Sequence, residues 1–204
     1  MKIISATNIF RAAILTGGYS KRMGYPKHQI KMADKTWLEN SILLLKNLGF
    51  DDSQIFLCGQ SDSFLGPKVL IDEVKGQGPL RGVYTALQYM YSSNACTKKL
   101  SLLVIPIDMP YLNQEVLYEL LQKSQEGKKI TTFLARPLPA VIPINYELIQ
   151  YLAKTLQSSD RRDYSLKKFY RKFSAIGIDC SELKVLRNIN TISDLILDDQ
   201  FYIG

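Results

Sequence analysis

The chain of 204 residues is long enough for one domain with a sizeable core. Its 26 Lys and Arg against 19 Asp and Glu give a formal net charge of +7, which steers polyanions inward without saying which one. No apolar run can span a bilayer, residues 1–10 are too short and polar for a cleaved secretory signal, and Cys58, Cys96 and Cys180 form no CxxC pair, so a membrane span, a disulfide framework and a zinc site are set aside.

In chain order, residues 12–16 (Ala-Ala-Ile-Leu-Thr) read as a buried strand. It opens into Gly17-Gly18, where two residues without Cβ allow a sharp turn and close approach to a ligand. Lys21, Arg22 and Lys27 follow on the same loop. Thr36-Trp37-Leu38-Glu39 is a capping box, opening a helix that runs to about Leu48 and stops at Gly49. Short strands are expected at 54–58 and 68–71. Leu80, Val83, Tyr84 and Leu87 form one helical face. Residues 100–105 are a continuous apolar run, the mark of a central parallel strand covered on both sides. Asn113 caps a helix through Lys123, strands follow at 129–134 and 140–144, and a helix at 146–156. Leu166, Phe169, Tyr170 and Phe173 line another helix, and Thr191-Ile192-Ser193-Asp194 caps the last one.

This alternation predicts an α/β fold, a Rossmann-like three-layer α/β/α arrangement with a mainly parallel central sheet. Residues 1–204 read as a single domain, with 1–10 as a flexible lead-in, since no repeat or linker divides the chain. Right-handed crossovers put the loops after the strands along one edge of the sheet. The glycine loop and the Asp108 loop then converge there, although some 80 residues separate them.

A strand opening into a glycine turn with fixed cations can hold a polyphosphate through N–H groups and charge. The spacing is neither GxxxxGK[ST] nor GxGxxG. Asp108 lies between Pro106 and Pro110, which restrict the backbone around it. A carboxylate at that edge suits Mg²⁺, a hard ion that keeps waters and takes phosphate oxygens. On residue type alone, a turn or helix-capping aspartate serves as well. His28 is the single histidine, which excludes a catalytic triad and a multi-histidine metal site.

The run Gly17-Gly18-Tyr19-Ser20-Lys21-Arg22-Met23-Gly24-Tyr25-Pro26-Lys27 resembles the nucleotidyltransferase signature G-G-x-S-x-R-M-G-x-x-K, and specifically that of the molybdenum cofactor guanylyltransferase family. Three further blocks match in the family's order: Gly78-Pro79-Leu80-Arg81-Gly82, Pro106-Ile107-Asp108-Met109-Pro110-Tyr111-Leu112 and Asn188-Ile189-Asn190-Thr191. Together they span residues 12 to about 197.

The resemblance implies a nucleotide-diphospho-sugar transferase type of fold and a cytoplasmic, Mg²⁺-dependent enzyme. GMP would pass from GTP to the terminal phosphate of molybdopterin or molybdenum-molybdopterin, leaving pyrophosphate. Leu15, Thr16, Gly17, Gly18, Lys27, Asp72, Gly78 and Asp108 would bind the nucleotide. Arg22, Lys27 and Asp108 would act catalytically, with Asp108 as the metal ligand. Asp72 would accept from N1–H and N2–H₂ of guanine, a donor pair that adenine lacks; a strand-end turn role stands beside this, and Glu73 is adjacent. Asn188, Asn190, Arg161 and Arg162 would meet the acceptor, although Asn190 and Thr191 also suit a helix cap. An acceptor phosphate is already ionised near neutral pH, so no general base is needed.

Three departures from the family stand out: Thr16 for the commoner alanine, Tyr25-Pro26 for a glycine and an acidic residue, and Ile192 for proline. A monomer is expected, with molybdoenzymes or cofactor-insertion proteins as partners and no nucleic acid, because no basic tail or aromatic platform stands out. The alternatives are CTP on molybdopterin, an NTP on a sugar or alcohol phosphate, or a nucleotide-binding paralogue without catalysis.

Overall fold

The apolar runs assemble into one seven-stranded sheet. The computed structural model describes residues 9–17, 26–32, 34–59, 66–72, 74, 76–93, 100–124, 129–191, 193–194 and 201–202. The main sheet is built from β1 (Ile9–Leu15), β4 (Ile55–Cys58), β5 (Lys68–Leu70), β6 (Leu100–Pro106), β7 (Thr131–Phe133), β8 (Arg136–Pro143) and β9 (Ile176–Ile178). Their order across the sheet is β5-β4-β1-β6-β8-β7-β9. β1 runs parallel to β4 and β6, β4 to β5, and β7 to β9; only β8 is antiparallel to its neighbours β6 and β7.

Successive strand residues face opposite sides of the sheet. Ala12, Ile14, Leu57, Leu103 and Ile105 face one apolar layer, with α1 (Trp37–Asn47) and α3 (Gln114–Lys123) over it. Ala13, Leu15, Phe56, Leu102 and Val104 face the other, under α2 (Gly78–Ser92), α4 (Tyr146–Thr155) and α5 (Leu166–Lys172). Burial on both faces is why these strands are uniformly apolar rather than alternating.

The helix ends follow the sequence. Thr36 accepts from the Glu39 N–H while Glu39 accepts from the Thr36 N–H, and Gly49 takes a left-handed φ of 96° after α1. Asn113, Asn145 and Ser165 each cap the helix that follows them.

Several features differ from expectation. β1 begins at Ile9, because Ile9 and Phe10 pair with Leu100 and Ser101, so these two residues belong to the strand; residues 1–8 lie outside the described residues. β8 starts at Arg136, upstream of the expected strand, despite Pro137 and Pro139. Those prolines lie where the ladder is already interrupted: β6 pairs only with Ala140–Pro143, and the β7 register shifts between Thr132 and Phe133. The Thr132 hydroxyl donates there to the carbonyls of Arg136 and Pro139. The edge strand β9 was not anticipated. Neither was a separate three-stranded sheet of β10 (Phe201–Tyr202), β2 (Lys31–Met32) and β3 (Lys35–Thr36), whose strands are too short for any period to show. Among the described residues no helix is long and apolar enough to cross a membrane.

Candidate functional site

The parallel strands β1, β4, β5 and β6 end along one edge, and their next residues are tied together there. The carbonyl of Cys58 accepts from the N–H of Thr16 at 2.9 Å and of Gly17 at 3.3 Å, and from the Thr16 hydroxyl at 3.2 Å. This gives the buried Thr16 hydroxyl a partner and accommodates the departure from alanine. It also means that neither N–H is free for a phosphate oxygen. At Gly17 the benefit is steric: a Cβ would stand 3.1 Å from the Cα of Gly59. The Leu15 side chain is buried under α2, where a Cβ on Gly82 would come within 2.8 Å of its Cδ2. The Leu15 carbonyl accepts from Ile107 at 3.2 Å, setting Asp108 beside this turn.

Lys27 and Asp108 meet at this edge. Lys27 Nζ lies 3.1 Å from Asp108 Oδ2, with only 14% and 21% of the two side chains exposed. Lys27 also donates to Asn190 Oδ1 at 2.8 Å. Asn188 Nδ2 donates to Asp108 Oδ1 at 2.8 Å, and the Ile189 N–H to the Asp108 carbonyl at 2.8 Å. Both asparagines therefore serve the Lys27–Asp108 pair. The cap next door belongs to Thr191 and Asp194, which exchange N–H bonds at 2.9 and 3.1 Å, leaving the Asn190 side chain to Lys27.

The second corner lies between β5 and α2. Asp72 Oδ1 accepts from the Thr85 hydroxyl at 2.8 Å, and Oδ2 lies 3.9 Å from where a Gly17 Cβ would stand. Burial raises the Asp72 pKa above the ordinary carboxylate value; the Thr85 hydrogen bond and the nearby Arg81 charge oppose the rise. The turn into α2 places Gly76 and Gly78 at φ 85° and 64°, values that favour glycine. Between them Gln77 is buried, its Nε2 donating to the Leu156 carbonyl at 2.7 Å and to Tyr164 Oη at 3.3 Å.

Arg161 and Arg162 sit in a single turn, Arg161–Asp163, next to the segment that holds Gln77. The described contacts do not join that turn to Asn188 and Asn190. Arg162 is exposed and forms a two-nitrogen pair with Asp160 at 2.7 to 3.0 Å. Gly18, Arg22, Glu73 and Ile192 lie outside the described residues. Thr85 was missed by sequence reasoning. Arg81 and Thr85, four apart, share one face of α2, and that pairing of cation and hydroxyl was the available signal for a facing carboxylate.

Asp108 is one hard-oxygen donor at a partly open strand edge. That fits Mg²⁺, which binds through one or two carboxylates and completes its shell with phosphates and water. No cluster of three or more His, Cys, Asp or Glu that could hold a metal occurs among the described residues.

Comparison with known proteins fits these observations. A protein of Geobacillus sp. (strain WCH70) named "Probable molybdenum cofactor guanylyltransferase" is 28% identical over 192 residues, covering 90% of this chain and 95% of that protein. The crystal structure of molybdopterin-guanine dinucleotide biosynthesis protein A from Archaeoglobus fulgidus superposes with a TM-score of 0.70 at 21% identity, covering 92% of this chain and 95% of that one. The 2-C-methyl-D-erythritol 4-phosphate cytidylyltransferase of Thermus thermophilus superposes with a TM-score of 0.59 at 14% identity, covering 91% and 95%. At these identities the two superpositions show a shared fold, which also matches the predicted nucleotide-diphospho-sugar transferase type. The family model described as "MobA-like NTP transferase domain" matches residues 12–174, and the chain belongs to that family.

Proposed function

We propose that this protein transfers GMP from GTP to the terminal phosphate of molybdopterin, forming molybdopterin guanine dinucleotide and pyrophosphate. The reading is supported by membership of the MobA-like NTP transferase domain family and by the full-length likeness to the Geobacillus protein. The observation that carries it is the 3.1 Å approach of Lys27 to Asp108, a cation and a carboxylate meeting beside a glycine turn at the carboxyl edge of a parallel sheet.

In this reading GTP lies along the edge, its base toward Asp72 and the Gly78 turn and its phosphates toward Lys27. An oxygen of the acceptor phosphate attacks the α-phosphorus, the bond to the bridging oxygen of the β-phosphate breaks, and pyrophosphate leaves with the electron pair. Lys27 shifts from Asp108 to the phosphates and offsets the charge that builds on the leaving group. Asp108 would hold Mg²⁺, which when bound would supply Lewis-acid neutralisation of the phosphate charge. Asn188 keeps the Asp108 carboxylate oriented during this exchange, and Asn190 keeps Lys27 within reach. The acceptor lies on the Asn188–Asn190 side, and positioning does the work of a general base.

The test has two stages. Thermal shift with Mg²⁺ and each of GTP, CTP, ATP and UTP should single out GTP, a ligand at 100 times its Kd adding about 2.7 kcal/mol of stability. α-Labelled GTP with molybdopterin should then yield labelled dinucleotide and unlabelled pyrophosphate. Preferential stabilisation by CTP, or label transfer only to a sugar phosphate, would overturn the proposal.

A further inference from the structure

We infer that Thr85 is a positioning residue for base selection: its hydroxyl anchors Asp72 so that the carboxylate stands beside the Gly17 turn with its remaining acceptor sites facing a purine edge. The inference rests on the guanylyl-transfer reading and deepens it.

Thr85 projects from α2, and its hydroxyl has two acceptors within reach. One is the Arg81 carbonyl at 3.1 Å, the usual back-bond of a helical threonine; the other is Asp72 Oδ1 at 2.8 Å. The shorter bond goes to the carboxylate, as expected for an ionised acceptor. The β-branch of threonine restricts χ1, so the hydroxyl is held where it serves Asp72. An ionised carboxylate offers about four lone-pair sites, so this bond leaves most of them for a ligand.

Asp72 is only half-buried, so part of its carboxylate stays accessible. Asp72 Oδ2 lies 3.9 Å from the point a Gly17 Cβ would occupy, which places the carboxylate next to the Gly17 backbone. Ile71 and Val74, on either side of Asp72 in sequence, keep 75% and 47% of their surface exposed, apolar area that a flat base can cover. A half-buried aspartate with a hydroxyl fixed on one oxygen keeps acceptor sites for a donor pair. N1–H and N2–H₂ of guanine form such a pair.

The experiment compares wild type, Thr85→Val and Thr85→Ser with GTP, ITP and ATP in the presence of Mg²⁺, by calorimetric titration and steady-state turnover. ITP lacks the 2-amino group and so reports the grip of the carboxylate. Thr85→Val should weaken GTP binding by about tenfold and narrow the preference for GTP over ITP by a similar factor, the worth of one charge-assisted hydrogen bond. The loss should fall on KM rather than on kcat, and Thr85→Ser should restore both affinity and preference. An unchanged GTP-over-ITP ratio in Thr85→Val overturns the inference, as does an equal loss for all three nucleotides with a lowered melting temperature. A wild type that binds GTP no better than ATP overturns the guanylyl-transfer reading and this inference with it, so the two failures are told apart.

Discussion

The two ends of the proposed nucleotide site solve opposite electrostatic problems. At the phosphate end, Asp108 and Lys27 neutralise one another, and Asn188 and Asn190 complete their hydrogen bonding. At the base end no ion pair to Asp72 occurs among the described residues: burial works against its charge, and a hydroxyl and a nearby guanidinium oppose that effect. Ligand binding at the first end must therefore exchange contacts, with Lys27 leaving Asp108. At the second it adds contacts to a group already oriented. On the proposed reading, the Lys27–Asp108 pair keeps stray cations from the first end and Asp72 stands ready as an acceptor at the other.

Substitutions at the phosphate end test the exchange most severely. Asp108→Asn should lower turnover about 1,000-fold, by removing the charge on which the metal depends, with the fold retained by circular dichroism. Loss of less than about tenfold would break the comparison. Lys27→Met should lower turnover about 100-fold. It should also tighten Mn²⁺ binding to the nucleotide-free protein by about tenfold, read by paramagnetic titration, because the carboxylate loses its internal counter-ion. Unchanged Mn²⁺ affinity would mean that the ion pair does not guard Asp108. Asn188→Ala should weaken Mn²⁺ binding in the presence of GTP by about tenfold, the cost of releasing a carboxylate from the partner that orients it.

The base end yields a smaller effect on stability. The raised Asp72 pKa means that the folded protein holds this proton more firmly than the unfolded chain does. The stabilising contribution of the protonated form is therefore lost as pH rises from the ordinary value of 3.8 through the raised one, and the cost is full at neutral pH. Asp72→Asn should melt above wild type at pH 7 while losing the preference for GTP. The gap in melting temperature should shrink as pH is lowered toward 3.8. A variant that melts below wild type at pH 7 would show that the Asp72 charge is fully compensated.

The strand–helix order, the capping boxes and the carboxyl-edge placement of the glycine turn and Asp108 were legible in the chain. Each depends on local chemistry: apolar periodicity, a hydroxyl three residues before Glu39 in the Thr36 box, a glycine at 49 to end the first helix. The motif spacing also pointed to the family that the residue 12–174 match establishes. The strands β2, β3, β9 and β10 were not legible, because two or three residues carry no period. Nor was the upstream extension of β8, since its prolines argue against a strand until the interrupted ladder is seen.

What only the tertiary structure decided is which polar groups share a hydrogen bond. Asn188 and Asn190 reach Asp108 and Lys27 across 80 and 163 residues, and Thr85 reaches Asp72 across a strand-to-helix connection. The sequence alone determined which chemical groups stand at the sheet edge, because apolar patterning places the strand ends. It did not determine their partners, because hydrogen bonds form over about 3 Å and register between distant segments is set by how the whole core packs.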